Sequence, residues 1–445
     1  MKSICLLFEV NQAFMHRRYR FFDIGTDHYY YDDYSNETNI RQSASKCYMP
    51  AGQLFLKLIE KSKGKINISF ALSGPSLRLF EIYAPEVIGI FRDLAQTGSV
   101  EFVAQPWPHS LASIENTSLF EEQVKQHHDH IYRLFGQKPV VFMNSELIYS
   151  DEIGAVMADS GFKGVITEGA RHILGWKSPN FLYCNVINPR LKVFMRNFKL
   201  SDDLTFRFSN PNWSEYPLTA EKYLSWLKKL TAREEVINVV IPYETLGILQ
   251  SHESGIFSFF EKFCNLVASE KDFILSAPSR VINEIQPVSA VSVPAPVSWE
   301  GEERDLSHWM GNELQREAFR KLYELTYRIS RCDDPDLKND WDYLQSDKHF
   351  ALMTTKRTDG LSTDPRINPF GSPYEAFINY MNILSDLKNR LNLILPENII
   401  EKEIACLEKV IREKDEKIEK LKSQLSRLQS EVKPSKKMKK SGTFD

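Results

Sequence analysis

Residues 139–169, PVVFMNSELIYSDEIGAVMADSGFKGVITEG, decide the fold. Val140–Met143 is a short apolar run typical of a strand, and Gly164–Thr167 is a second one. Between them, Ser150 is suited to begin a helix, because its side chain can accept a hydrogen bond from the first turn. The stretch therefore predicts strand, helix and strand. Glu146 follows the first strand, at the edge where α/β barrels keep their chemistry.

Length and composition restrict the class of protein. A chain of 445 residues predicts a large domain of about 250–300 residues with appendages. A net charge of −3 gives no nucleic-acid signature, and six widely spaced cysteines without a CxxC pair predict neither a zinc ribbon nor a disulfide framework. The N-terminus reads as a first strand rather than a signal peptide, and no window approaches the roughly 18 apolar residues of a membrane span. We expect a cytoplasmic protein with reduced thiols and no membrane segment.

Several segments carry a resemblance to a known family. They are FEV with Gln12 after the first strand, QPWPHSL at residues 105–111, NSELIYSDEIG at 144–154, PYETLG at 242–247 and WEGEERDLSHWMGN at 299–312. In this order they resemble the α-amylase and α-amylase-like members of glycoside hydrolase family 57. The resemblance implies an α/β fold, an incomplete (β/α)7 barrel followed by a helical domain. It also implies action on α-1,4-linked glucans by a retaining mechanism without a metal or organic cofactor, with Glu146 as nucleophile.

The domain boundaries follow from the resemblance and from composition. We expect a barrel domain at 1–286, a Pro-rich connector at 287–298, a helical domain completing the cleft at 299–396, a coiled coil at 397–432 and a disordered basic tail at 433–445.

The chain departs from the family pattern inside the site. Asn11 stands where the family has His, Gln105 where it has Glu, and Ile248-Leu249 where it has Glu-His. The segment around Tyr243 fixes the register, so the general acid/base position falls on Pro242. Proline cannot transfer a proton, and general acid catalysis typically supplies about 10²–10⁴-fold. Rescue by the nearby Glu244 is the alternative to a nearly silent site.

The resemblance also implies contacts to the substrate. The candidates are Asn11, Gln12, Gln105, His109, Asp203, Tyr243, Glu244, Trp299, Asp305 and Trp309. Asp202 or Asp203 can contact the sugar or cap the next helix, and both readings stay open.

Two other segments have alternative interpretations. Arg17–Tyr34 is rich in aromatic and acidic residues, which suits either a sugar site or a packed loop over the barrel. His127 and His130 could share one face of the helix predicted at Leu119–Phe135, but no motif supplies a third metal ligand. For the histidines a solvated helix face is the preferred interpretation.

The C-terminal region has the clearest periodicity. Ile404, Ile411, Ile418, Leu425 and Val432 repeat every seven residues, with a second set offset from them. This pattern predicts a two-stranded parallel coiled coil, hence a homodimer or a partner helix through residues 400–432. An intramolecular amphipathic helix is the alternative.

Two functions remain open on this evidence. The first is a glucan-active hydrolase or transferase of weak or altered activity. The second is a non-catalytic protein that binds an α-glucan or maltooligosaccharide and dimerises or recruits a partner through its coiled coil.

Overall fold

The computed structural model describes residues 1–356 and 368–396, with eight further helical positions between 407 and 422. Ten strands form one sheet: β1 (Lys2–Val10), β2 (Ile68–Leu72), β3 (Val100–Val103), β4 (Val141–Met143), β5 (Gly164–Glu168), β6 (Leu182–Asn185), β7 (Lys192–Arg196), β8 (Val236–Pro242), β9 (Phe273–Leu275) and β10 (Ser289–Val291).

Seven of these strands are parallel neighbours that close on themselves. The order is β1, β2, β3, β4, β5, β7, β8 and back to β1. Two seams are narrow, since β3 meets β4 at the bridge Ala104–Phe142 and β7 meets β8 at the pair Arg196–Asn238. The predicted α/β fold with an incomplete seven-fold barrel is confirmed. Because the strands are parallel, their carboxyl ends share one rim, and this rim carries the candidate site.

Helices connect and cover these strands. They are α1 (Asp33–Ser43), α2 (Met49–Ser62), α3 (Gly74–Tyr83), α4 (Pro85–Gln96), α5 (Thr117–Phe135), α6 (Asp151–Asp159), α7 (Arg171–Leu174), α8 (Phe198–Asp202), α9 (Ala220–Lys228), α10 (Ile256–Ser269), α11 (Pro278–Glu284), α12 (Ser307–Met310), α13 (Glu313–Tyr323), α14 (Thr326–Ser330), α15 (Pro335–Leu344), α16 (Asp347–Ala351) and α17 (Pro373–Ile394).

The central strand–helix–strand unit forms as its sequence predicts. The Ser150 side chain accepts a hydrogen bond from the Ile153 backbone N–H and so caps α6. Gly161, with φ 95°, ends the turn after α6 in the left-handed region that favours glycine. All three residues of β4 and all five of β5 are buried, as expected for strands covered on both faces.

The helical part differs from the sequence expectation in one important detail. Within the predicted helical domain, the sequence predicts one helical segment over Asp340–Leu352, but α15 ends at Leu344 and α16 begins at Asp347. Backbone pairing causes this break: Ser346 forms a bridge with Ser110, and the Asp347 N–H donates to the His109 carbonyl at 3.1 Å. The helical part is thereby joined to the loop after β3.

Burial and pairing bear on three other expectations. His127 is not on a solvated face, because its ring is buried and its Nε2 lies 2.6 Å from the Leu72 carbonyl oxygen. The Pro-rich connector contains β10, which pairs in parallel with β6. In Arg17–Tyr34, the buried Tyr30 hydroxyl donates to Asp386 of α17, which supports the packed-loop interpretation.

The predicted coiled coil and basic tail lie largely outside the described residues. Five described apolar positions are helical and 40–56% exposed: Leu407, Val410, Ile411, Ile418 and Leu421. Among the described residues, no helix has the length and apolar character needed to cross a membrane.

Candidate active site

Glu146 lies on a short 3₁₀ turn, Ser145–Leu147, directly after β4. Its backbone is in the left-handed region, with φ 55°, and Leu147 follows with φ 56°. Such conformations cost about 1–3 kcal/mol for residues with a side chain and concentrate at functional sites. The Asn144 side chain holds the turn by donating to the Ile148 carbonyl oxygen at 2.9 Å. The fold thus fixes the position of the Glu146 carboxyl group.

Trp299 reaches Glu146 from the segment after β10. Its indole N–H donates to Oε2 of Glu146 at 2.5 Å. The Phe206 ring lies nearly parallel to that indole, with the ring centroids 6.5 Å apart. The carboxyl group is therefore positioned beside an aromatic pair.

His109 is the second fixed residue of the site. It follows β3 with φ 54° and is fully buried. Its Nδ1 lies 2.7 Å from Asp347 Oδ1 and 2.9 Å from the Asn11 amide nitrogen, and its Nε2 lies 3.2 Å from Glu9 Oε1. Burial alone would lower the pKa of His109, but the hydrogen bonds and charges of Asp347 and Glu9 outweigh it and raise the pKa to about 10. The ring is an imidazolium at neutral pH.

Asp347 was not predicted from sequence, yet it contacts Glu146 directly. Its side chain is 2% exposed and shares a hydrogen bond with the Glu146 carboxyl group. Burial would raise the pKa of Asp347, but the His109 charge and hydrogen bond hold it below its usual value. Burial and the neighbouring Asp347 raise the pKa of Glu146 well above its usual value. The two shifts run in opposite directions, so Glu146 binds a proton more tightly than Asp347 does.

The other half of the rim carries Pro242. This residue ends β8 and pairs in register with Glu9 of β1. The nearby Glu244 carboxylate accepts hydrogen bonds from the Tyr48 hydroxyl at 2.5 Å and from the Gln12 amide at 2.8 Å. Glu244 is therefore already engaged with the barrel wall.

An open cleft of about 1180 Å³ has Trp299 in its wall, together with residues that follow the carboxyl ends of β5 and β7. Its walls are aromatic and charged, and include Arg171, Phe198, Asp202, Phe206, Trp299, Arg304, His308 and Lys356. The guanidinium groups of Arg171 and Arg304 lie 5.1 and 5.3 Å from the Phe198 ring centroid. The cleft thus offers ring faces beside hydrogen-bonding groups.

Part of the predicted site comes together at the rim. Asn11 and His109 are in contact, Trp299 bonds Glu146, and the Gln105 amide donates to Glu9 at 3.2 Å. Gln12 and Glu244 bond each other on the Pro242 side.

Four predicted contacts lie elsewhere. Tyr243 is fully buried beside Phe8 in the barrel core, and Trp309, 2% exposed, is in the core of the helical part. The exposed Asp305 accepts from the Ser307 N–H and is not part of the cleft wall. Asp203 accepts from Arg207 and lines a separate cavity with Trp213 and Trp226, whereas the preceding Asp202 faces the cleft. These four residues lie away from the Glu146 cluster, and their contacts with a substrate stay predictions.

Two functional residues were missed by sequence reasoning. Glu9 was seen only as part of a strand motif, although its position next to Asn11 at the end of β1 could have indicated the rim. Asp347 gave no local signal, because it was expected inside a continuous helix.

A metal ion is a further chemical option at this cluster. Ligand atoms of His109, Glu146 and Asp347 lie within 4.8 Å of one another. Both His109 ring nitrogens already lie at hydrogen-bond distance from carboxylates, so a cation would have to displace a ring proton to bind there. Protons on these side chains balance the negative charge of the carboxylates more simply than a metal ion would. The expected absence of a metal or cofactor stays a prediction.

The comparisons with known proteins agree with this architecture. The family model "Glycosyl hydrolase family 57" matches residues 5–294. A curated protein of Methanocaldococcus jannaschii, described as "Putative alpha-amylase", is 34% identical over 384 residues, covering 84% of this chain and 81% of that protein.

Solved structures show the same fold at low identity. A GH57-type branching enzyme from Pyrococcus horikoshii gives a TM-score of 0.65 at 12% identity, covering 88% of this chain and 90% of that one. A GH57 branching enzyme from Thermococcus kodakaraensis gives 0.63 at 14% identity, covering 89% and 95%. Barrel, rim carboxylates and helical part together define a protein of the glycoside hydrolase type. The chain belongs to glycoside hydrolase family 57.

Proposed function

We propose that this protein acts on or binds α-1,4-glucans such as starch, glycogen or maltooligosaccharides, with Glu146 as the attacking carboxylate of a retaining mechanism. The observation that carries the proposal is the strained, Trp299-bonded position of Glu146 at the carboxyl end of β4. The relatives' names support the substrate class, since they include an α-amylase and branching enzymes.

The cleft supports a carbohydrate ligand. The faces of Trp299 and Phe206 suit the C–H faces of a sugar ring, as aromatic side chains offer large apolar contact surfaces. Asp202, Arg304 and His308 can exchange hydrogen bonds with hydroxyl groups. A volume of about 1180 Å³ accommodates several sugar rings.

The acid/base step is the weak part of this site. Retaining enzymes place a second carboxyl group about 5–5.5 Å from the nucleophile. Asp347 is closer than that, with a carboxyl oxygen within 4.8 Å of a Glu146 oxygen, and at 2% exposure it cannot contact a glycosidic oxygen. Glu244 is held by Tyr48 and Gln12. Turnover of ordinary glucans should therefore be weak.

The leaving group provides the test. Fluoride leaves α-maltosyl fluoride without a proton, so formation of the glycosyl–enzyme and the first release of fluoride need only the nucleophile, whereas hydrolysis of that intermediate by water still depends on a base. We expect turnover of the fluoride that is lost in Glu146→Gln, together with starch hydrolysis at least about two orders of magnitude below that of an intact relative. Ordinary turnover on starch would contradict the weak acid/base step, and unchanged fluoride turnover in Glu146→Gln would remove Glu146 from the mechanism.

A second candidate function is non-catalytic glucan binding with self-association. It is favoured by Pro242 and by the exposed helical positions Leu407, Ile411 and Ile418, whose seven- and four-residue spacing matches one face of a coiled coil. A homodimer through residues 400–432 is part of this proposal, and the partner helix of another protein is its alternative. Co-sedimentation with glycogen, without any turnover of the fluoride, would select this function.

The compartment is also a proposal. Five described cysteines carry free thiols, which supports a reducing compartment such as the cytoplasm.

A further inference from the structure

Four titratable side chains form one cluster at the rim, in which His109 and Asp347 are buried and Glu9 and Glu146 are partly exposed. Glu9, Glu146 and Asp347 supply three carboxyl groups, and His109 supplies one imidazole. If every group were charged, the cluster would carry two uncompensated negative charges. Burying unpaired charge is costly, so the cluster retains a proton in addition to that of His109.

The contacts show where this second proton lies. The Glu146 and Asp347 carboxyl groups have oxygen atoms within 4.8 Å of each other and share a hydrogen bond, an arrangement that requires a proton on one of them. Asp347 faces the His109 imidazolium at 2.7 Å and is followed along the chain by Lys348. Glu146 has the neutral indole of Trp299. The cations favour ionised Asp347, so Glu146 is the hydrogen-bond donor of the pair.

We propose that Asp347 is a positioning residue: by accepting the hydrogen bond of the Glu146 carboxyl group, it sets the pH at which Glu146 becomes an attacking carboxylate. This inference rests on the proposed nucleophilic role of Glu146. It gives a function to the break between α15 and α16, because the pairing of Ser346 with Ser110 brings Asp347 to the rim. The helical part thereby controls a residue of the barrel.

The neighbouring elements contribute few other charges to this pair. Glu9 comes from β1, His109 from the loop after β3, His308 from α12, and Lys348 and His349 from α16. Burial lowers the pKa of His308 and of His349 to about 4, so both are neutral between pH 6 and 8. These two histidines therefore do not change charge between pH 6 and 8. A shift of the pH profile in an Asp347 variant in that range reports on the Glu146–Asp347 pair.

Infrared spectroscopy tests the proton without requiring activity. The full chain, labelled with ¹³C-glutamate, is titrated with pH, and the carbonyl band of a protonated glutamic acid is followed. The buried Glu101, whose pKa burial raises to about 7, contributes to this band, so the signal of Glu146 is the part that Glu146→Gln removes at pH 7. In Asp347→Asn this part should disappear at a pH lower by at least about one unit, because a neighbouring negative charge has been removed. Identical bands at pH 7 in the unaltered protein and in Glu146→Gln would overturn the proposal.

Kinetics provide the second readout. Turnover of α-maltosyl fluoride should rise with pH as Glu146 loses its proton, and this rise should move to lower pH in Asp347→Asn. Asp386→Asn is the matched control, since Asp386 is equally buried in the helical part and bonds a histidine, His28. It should leave the position of the rise unchanged. A uniform loss of turnover in Asp347→Asn, without a shift along the pH axis, would show a merely structural role.

One further variant keeps the test decisive. Asp347→Glu preserves the carboxyl group and should restore a pH profile close to that of the unaltered protein, whereas a profile like that of Asp347→Asn would contradict the proposal. If Glu146→Gln fails to reduce fluoride turnover, the proposed function fails, while the infrared band still reports separately on the proton.

Discussion

The two halves of the barrel rim differ in how their carboxyl groups are used. On the Glu146 side, Glu9, Glu146 and Asp347 surround an imidazolium, and the backbone is strained at Glu146 and His109. On the Pro242 side, the acid/base position has no titratable group, and Glu244 is bonded to the barrel wall. The comparison teaches that a strained and charged half of the rim can coexist with a half whose acid/base position cannot transfer a proton.

The largest expected effect is a difference in fluoride turnover between substitutions of the glutamate on each half of the rim. Glu146→Gln should reduce turnover of α-maltosyl fluoride by about 10³-fold or more, as expected when an attacking group is removed. Glu244→Gln should change it by less than about 10-fold, because neutral Gln can still accept a hydrogen bond from Tyr48. Steady-state kinetics of both variants check this. Equal losses would contradict the asymmetry of the rim.

The next effect concerns the charge balance of the Glu146 side. The pKa of His109 is raised to about 10 from its usual 6.5, so its contribution to stability is fully present below pH 6.5 and is lost as the pH rises through 10. His109→Gln should lower the free energy of unfolding by about 3–5 kcal/mol near pH 6, since buried carboxylates lose their cation.

Urea unfolding at several pH values measures this effect. The difference between the unaltered protein and His109→Gln should shrink as the pH approaches 10. A difference that stays constant with pH would show that His109 is not charged in the folded state.

A smaller effect is expected from the indole contact. Trp299→Phe keeps the ring face for a sugar but removes the N–H that bonds Glu146, so fluoride turnover should fall about 10-fold. Trp213→Phe is the control, because Trp213 lines a cavity separate from the cleft. Equal losses in both variants would show that the indole contact has no special role.

The smallest effect on catalysis is expected from the C-terminal helix. Ile411→Lys with Ile418→Lys should convert a dimer to a monomer, as charge at two core positions disrupts a coiled coil, while fluoride turnover stays the same. Light scattering of the full chain measures the mass. A monomeric unaltered protein would exclude the homodimer.

Local patterns were sufficient to predict part of this structure. The unit from β4 to β5 could be predicted because Ser150, Gly161 and two apolar runs act within a few residues of one another. Glu146 could be placed at the rim because the carboxyl ends of parallel strands share one edge.

Non-local contacts determined the rest. Asp347 reaches the site through a helix break that depends on Ser110, far away in the chain. Asp202 and Asp203 are neighbours, yet they face different cavities, because consecutive residues of a helix point in different directions. A motif that fixes the register of such a segment does not say which of the two carboxylates meets the cleft.

The most direct measurement restores the missing proton donor. Pro242 has φ −57° and ψ 136°, which an aspartate can adopt without strain. In Pro242→Asp we predict that starch hydrolysis rises by about 10²–10⁴-fold, while the first release of fluoride from α-maltosyl fluoride, which needs no proton donor, keeps nearly the same rate. The account would be contradicted if the unaltered protein already hydrolysed starch at the rate of an intact relative and Pro242→Asp gave no further increase.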